Sequence, residues 1–138
     1  MKKSFALTSY TSSCIIQPVN PHKKPIQWIG SSFKDLLVLP ADVQRVFGYA
    51  LYLAQIGNKH LATKVLKGFG GAGVLEVIQD DVGGTYRAVY TIKFAEAVFV
   101  LHCFQKKSKR GIATPTQDLE VIRARLKVAE AYVKELQK

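Results

Sequence analysis

Between residues 74 and 105 the chain holds three runs with strand periodicity, separated by two short turns, and this arrangement confines the fold to an antiparallel sheet. The first run, VLEVI at 74–78, ends at Asp80 and Asp81; Gly83 and Gly84 make a tight turn into 85–94, and Ala95 and Glu96 turn into 97–105. On the middle strand, alternation sends Tyr86, Ala88, Tyr90 and Ile92 to one face and Arg87, Val89, Thr91 and Lys93 to the other. The third run is apolar on both faces until His102, which predicts a central strand covered by helices on one side and facing a concave surface on the other.

Helices flank this meander. Residues 26–29 (IQWI) read as a short strand closed by Gly30 and Ser31. Ser32 is placed to cap a following helix, with Asp35 in its first turn and Phe33, Leu36 and Leu37 facing inward. Pro40 suits the first position of a second helix, in which Val43, Val46, Phe47, Ala50, Leu53 and Ala54 recur at helical spacing before Gly57 and Asn58 close it. The two form a hairpin. Residues 59–73 read as a basic, glycine-rich loop with Lys59, Lys64 and Lys67; its glycines lack the spacing of a nucleotide-binding loop. After Thr114 a capping box with Pro115 as first helical residue predicts a C-terminal helix, whose Leu119, Ile122, Leu126, Ala129, Val133 and Leu136 repeat every three or four residues. That stripe is read as core.

At 138 residues and 48% hydrophobic content the chain suits one compact domain, expected over residues 25–138. Residues 1–24, broken by Pro18 and Pro21, read as a flexible extension without the continuous apolar stretch of a signal peptide. No run approaches the roughly 20 apolar residues that cross a bilayer, so no membrane partner is expected. Cys14 and Cys103 have no metal-ligand or disulfide spacing, which points to free thiols in a reducing cytoplasm and to no metal or other cofactor. Twenty basic residues against ten acidic give +10, a charge that attracts nucleic acid or an acidic protein. The excess is concentrated after the third strand, where Lys106, Lys107, Lys109 and Arg110 lie in a stretch, residues 97–117, without one carboxylate.

The order strand, helical hairpin, meander, helix, with VLE at 74–76, GGTYRAVY at 83–90 and HCFQKKSKRGIATP at 102–115, resembles the HigB-like, phage-derived branch of the RelE/ParE toxin superfamily over residues 25–130. The resemblance implies an α+β fold of RelE/ParE type. It also implies the toxin of a type II toxin-antitoxin pair, an endoribonuclease cutting mRNA on the ribosome, silenced by a bound antitoxin. Ile78 is a departure, standing where members of this branch often carry arginine.

The side chains themselves point to phosphate chemistry. Attack of an RNA 2′-hydroxyl on its own phosphate needs charge neutralised on the phosphorane oxygens and protons moved at both ends. Arg87 on the middle strand suits the first task, with a structural pairing to Asp80, Asp81 or Glu76 as its other reading. Lys106 and Lys107 are candidate catalytic cations, and Lys67, Lys109 and Arg110 candidate backbone contacts. His102 is a candidate acid or base, or a hydrogen-bonded core residue; Phe104 and Tyr90 are candidates to stack a base, or core. Glu76 and Tyr86 are read as structural support. No His-Asp ribonuclease constellation is evident, so positioning by the ribosome would have to supply what the side chains lack. The antitoxin is expected to be a helix-turn-helix protein, acidic at least in the segment that covers the positive surface. Two other readings stand beside the nuclease: a non-enzymatic inhibitor of DNA gyrase, as on the ParE side of the superfamily, and a basic nucleic-acid-binding protein without toxicity.

Overall fold

The computed structural model describes residues 23–106 and 114–138. Five strands and three helices follow in the order β1 (Ile26–Trp28), α1 (Ser32–Leu37), α2 (Ala41–Gln55), β2 (Thr63–Val65), β3 (Val74–Asp81), β4 (Gly84–Thr91), β5 (Val98–Gln105) and α3 (Thr116–Leu136). The fold is α+β, but the sheet is larger than the expected three-stranded meander. It is five-stranded and mixed, in the order β1-β5-β4-β3-β2. β3, β4 and β5 pair antiparallel as their turns dictate, while β1 joins β5 in parallel with Ile26 opposite Val98. β2 arises inside the segment read as a loop; at three residues it is too short to show a period, and it is held by antiparallel pairing with β3, Lys64 opposite Glu76.

Alternation on β4 divides the interior in two, as its sequence requires. Tyr86, Ala88 and Tyr90 pack with Leu36, Val43, Phe47, Ala50 and Leu51 under the α1–α2 hairpin. Val89 faces the other way, with Phe99, Leu101 and Phe104, against Ile122, Leu126, Ala129 and Val133 of α3. The stripe on α3 is therefore core from Leu119 to Val133, while Leu136, in the last turn, is exposed. β5 serves both layers, and a bulge where its register with β4 shifts, between Val89 and Tyr90, reverses its alternation. Val98, Val100 and Cys103 face the hairpin; Phe99, Leu101 and Phe104 face α3.

Helix ends differ by one residue from their expected positions. Ser31, not Ser32, precedes α1 and donates its hydroxyl to Asp35 at 2.6 Å, whereas Ser32 is buried and donates to the Val100 carbonyl at 3.0 Å. Pro40 and Pro115 sit just before α2 and α3 rather than as their first residues. Among the described residues no helix is long and apolar enough to cross a membrane.

Gly30 turns the chain from β1 into α1 with φ +59°, and a Cβ there would lie 2.7 Å from Arg125 Nε. Arg125 crosses from α3 to donate to the Leu101 carbonyl at 2.9 Å and to Ser31 Oγ at 2.9 Å. Gly30→Ala thus adds left-handed strain of roughly 1–2 kcal/mol and displaces a side chain whose bonds are worth about 1 kcal/mol each. A loss of roughly 2–3 kcal/mol in urea unfolding is the expected result.

Candidate functional site

The α3 face of the sheet carries an ion pair at its centre. Glu76 on β3 and Arg87 on β4 are diagonal neighbours, since Glu76 lies opposite Val89 and Ile78 opposite Arg87. Arg87 Nη1 donates to Glu76 Oε2 at 3.0 Å and to Thr114 Oγ1 at 3.1 Å, and the Thr114 hydroxyl donates to the same Glu76 oxygen at 2.7 Å. Thr114 therefore does not cap α3, which begins without a side-chain cap; its hydroxyl closes this triangle instead. The group is sealed: Glu76 is 0% and Arg87 2% exposed. Of the carboxylates weighed as partners for Arg87, Glu76 is the one it takes.

Two lysines add to the positive side. Lys64 Nζ, carried by the edge strand β2, lies 3.9 Å from Glu76 Oε1. Lys106 follows β5, fastened by its amide to the Thr85 carbonyl at 2.8 Å. Its ammonium is held below the usual lysine range by burial and by Arg87, with Glu76 opposing and Lys64 reinforcing the shift. Arg87 and Lys64 both approach the Glu76 carboxylate, and Lys106 lies within electrostatic range of all three. Beside them opens a cavity of about 260 Å³ lined by Lys64, Val65, Leu66, Lys67, Glu76, Thr114 and Leu119. The exposed Lys67 stands at this opening; Lys107, Lys109 and Arg110 lie outside the described residues.

His102 belongs to the same face because the β5 bulge turns it there beside Phe104, on which its ring stacks at 4.5 Å and 18°. Its Nε2 is 2.8 Å from Asp118 Oδ1 in the first turn of α3. The sequence showed no His-Asp constellation, yet the fold makes one. Asp118 had a legible signal: it falls four residues before Ile122 and eight before Leu126, a carboxylate in the buried stripe of α3 that calls for a partner. Burial lowers the His102 pKa, and Asp118 only partly opposes this. No group of three or more His, Cys, Asp or Glu side chains placed to hold a metal ion occurs among the described residues.

Tyr90 and Tyr86 point the other way. Tyr90 is 0% exposed within the hairpin-side core, where burial raises its phenol pKa, so it presents no ring to a base; Tyr86 is buried in the same layer. Phe104 remains on the site face, 8% exposed beneath His102. Cys103 is buried under the hairpin, and its thiol is pushed up to about 12 by burial, the state of an inert packing residue.

The family described as phage derived protein Gp49-like (DUF891) matches residues 34–127, most of the chain and every element from α1 to the middle of α3. The protein belongs to the Gp49-like family. That family is associated with the toxins of toxin-antitoxin pairs. No curated protein matches the chain.

Two outcomes follow from the site's electrostatics. Glu76→Ala strands a buried guanidinium and is expected to cost about 3–5 kcal/mol, most of it recovered when Arg87→Met is added, as a double-mutant cycle in urea will measure. The His102 pKa is lower folded than unfolded, so the unfolded chain binds the extra proton first. Its contribution to stability is present above about pH 6.5 and is lost as pH falls toward the folded value. Unfolding midpoints should drop between pH 7.5 and 5.5, and His102→Gln should flatten that slope.

Proposed function

We propose that this protein is the toxin of a toxin-antitoxin pair and that it cuts mRNA bound to the ribosome, its partners being mRNA, the ribosome and an acidic antitoxin. Membership of the Gp49-like family supports the toxin half of this reading. The observation that carries the nuclease half is the closeness of Arg87, Lys64 and Lys106 to one another and to Glu76, beside a cavity that Lys64, Lys67 and Glu76 line. Clustered positive charge attracts a phosphodiester, and a lysine whose pKa is already lowered is better suited to give a proton to a leaving 5′-oxygen.

In this mechanism the 2′-oxygen attacks phosphorus, the P–O5′ bond breaks, and a 2′,3′-cyclic phosphate is left. Lys64 and Lys67 bind the backbone, and Lys106 neutralises the phosphorane and protonates the leaving oxygen. Arg87 reaches phosphate by exchanging Glu76 for it, which frees Glu76 as acceptor of the 2′-hydroxyl proton. His102, pinned by Asp118 and stacked on Phe104, lines the same face for the neighbouring nucleotide. Lys107, Lys109 and Arg110 extend the basic stretch by sequence.

One observation weighs against the nuclease and leaves the gyrase reading beside it: the guanidinium expected on phosphate is 2% exposed and already bonded to Glu76. Primer extension of mRNA after in vitro translation, run beside a gyrase supercoiling assay, separates the two. New 5′ ends with supercoiling untouched are expected; lost supercoiling with intact mRNA overturns the nuclease.

Because Arg87→Ala breaks the interior ion pair, the test that leaves that pair in place is Lys64→Ala with Lys106→Met, which keeps the buried stem of Lys106 packed. This pair should lower cutting by at least about a hundredfold, the scale of a lost charge-stabilising or proton-transfer group, with circular dichroism showing the fold retained. Full cutting by the double variant removes these lysines from the mechanism.

A further inference from the structure

One oxygen of the buried carboxylate is unmatched. Glu76 Oε2 accepts from Arg87 and from Thr114, but Oε1, in a residue 0% exposed, has no hydrogen-bond partner among the described residues. Lys64 Nζ, at 3.9 Å, stands beyond hydrogen-bond reach. A buried acceptor left without a donor costs free energy comparable to a lost hydrogen bond, so this oxygen needs a donor from outside the chain. The carboxyl group itself lies at the cavity, since Lys64 and Thr114, the side chains that its two oxygens approach, line that cavity together with Glu76.

The walls limit what can supply that donor. Val65 and Leu66, at the end of β2, and Leu119, near the start of α3, give the cavity apolar sides. Its volume of about 260 Å³ falls below the roughly 300 Å³ at which sites for drug-sized ligands begin, which leaves room for one ring system. Charge narrows the choice further. Lys64 and Lys67 line the same cavity, and Arg87 and Lys106 stand within electrostatic range of Glu76, so a cationic donor such as an ammonium is repelled. The ligand must bring a neutral N–H to Oε1 and a negative charge to the lysines. A nucleotide does both: its base enters between the apolar walls, and its phosphate stays outside with the exposed Lys64 and Lys67.

We propose that the cavity is a base pocket and that Glu76 Oε1 selects a base with an exocyclic amino group. The amino groups of cytosine, adenine and guanine project from their rings and can donate to a recessed carboxylate oxygen. Uracil has none. Where cytosine carries its amino group uracil has a carbonyl oxygen, which the carboxylate repels, and its one N–H is set back between two carbonyls. Only Oε1 is engaged in this way; Oε2, held by Arg87 and Thr114, stays with the chemistry proposed above. The inference rests on the nuclease reading for its substrate, an RNA strand, and adds the class of base which that strand presents.

Titration of the full chain with 3′-CMP and, separately, 3′-UMP tests it, read by the methyl NMR signals of Val65, Leu66 and Leu119. The two nucleotides match in size and charge, differ in the amino group and carry no phosphodiester to cut. CMP should shift these signals and bind at least about tenfold more tightly than UMP, the scale of one correct base contact. Leu119→Trp, which fills the cavity from a half-buried position, should lose the shifts while circular dichroism shows the fold retained. Equal affinities, or shifts that bypass the three residues, overturn the base pocket whatever the mRNA assay shows, and so does CMP binding that survives Leu119→Trp. Intact mRNA together with CMP preferred over UMP overturns the nuclease instead and leaves the pocket standing as a nucleotide site.

Discussion

A buried guanidinium held by one carboxylate ties the α3 side of this molecule together. Arg87 and Glu76 join β4 to β3, and Thr114 brings the entrance of α3 onto the same two side chains. Neither charge can remain in an apolar interior unless the other is present, so both strands and the start of the helix must be in register at once. The packing on this side, Val89 and Phe99 against Ile122 and Ala129, then fills the space that the ion pair delimits. Lys64 approaches the same carboxylate from the edge strand β2, and Lys106 adds a further positive charge nearby.

The same arrangement explains why a basic chain can carry an arginine so deep. With Lys64 at 3.9 Å from its other oxygen, Glu76 serves more than one cation, and the excess charge stays local. Arg87 is enclosed here by Glu76 and Thr114.

What could be read along the chain was whatever depends on local period. The division of β4 into Tyr86, Ala88 and Tyr90 against Arg87, Val89 and Thr91 follows from alternation alone, and the buried face of α2 from its spacing. Contacts between distant segments were not legible. β1 finds β5 in parallel across some seventy residues, and β2 exists only because β3 offers it an edge. His102 and Asp118, sixteen residues apart, meet through a bulge that no periodicity announces. Thr114 looked like a cap because its neighbours form the right motif, yet a buried carboxylate offers its hydroxyl a stronger, charged acceptor. Tyr90 looked available for a base on composition, and alternation with the hairpin above it decided otherwise.

The parallel seating of β1 on β5 has a consequence for synthesis. Its first strand leaves the ribosome long before the strand that must receive it, so the edge of the sheet stays unformed until translation passes Val100. The interior ion pair waits still longer, for Thr114. Non-local pairing of this sort delays folding to the end of elongation. The sheet and the ion pair beneath α3 therefore close together, only after most of the chain has been made.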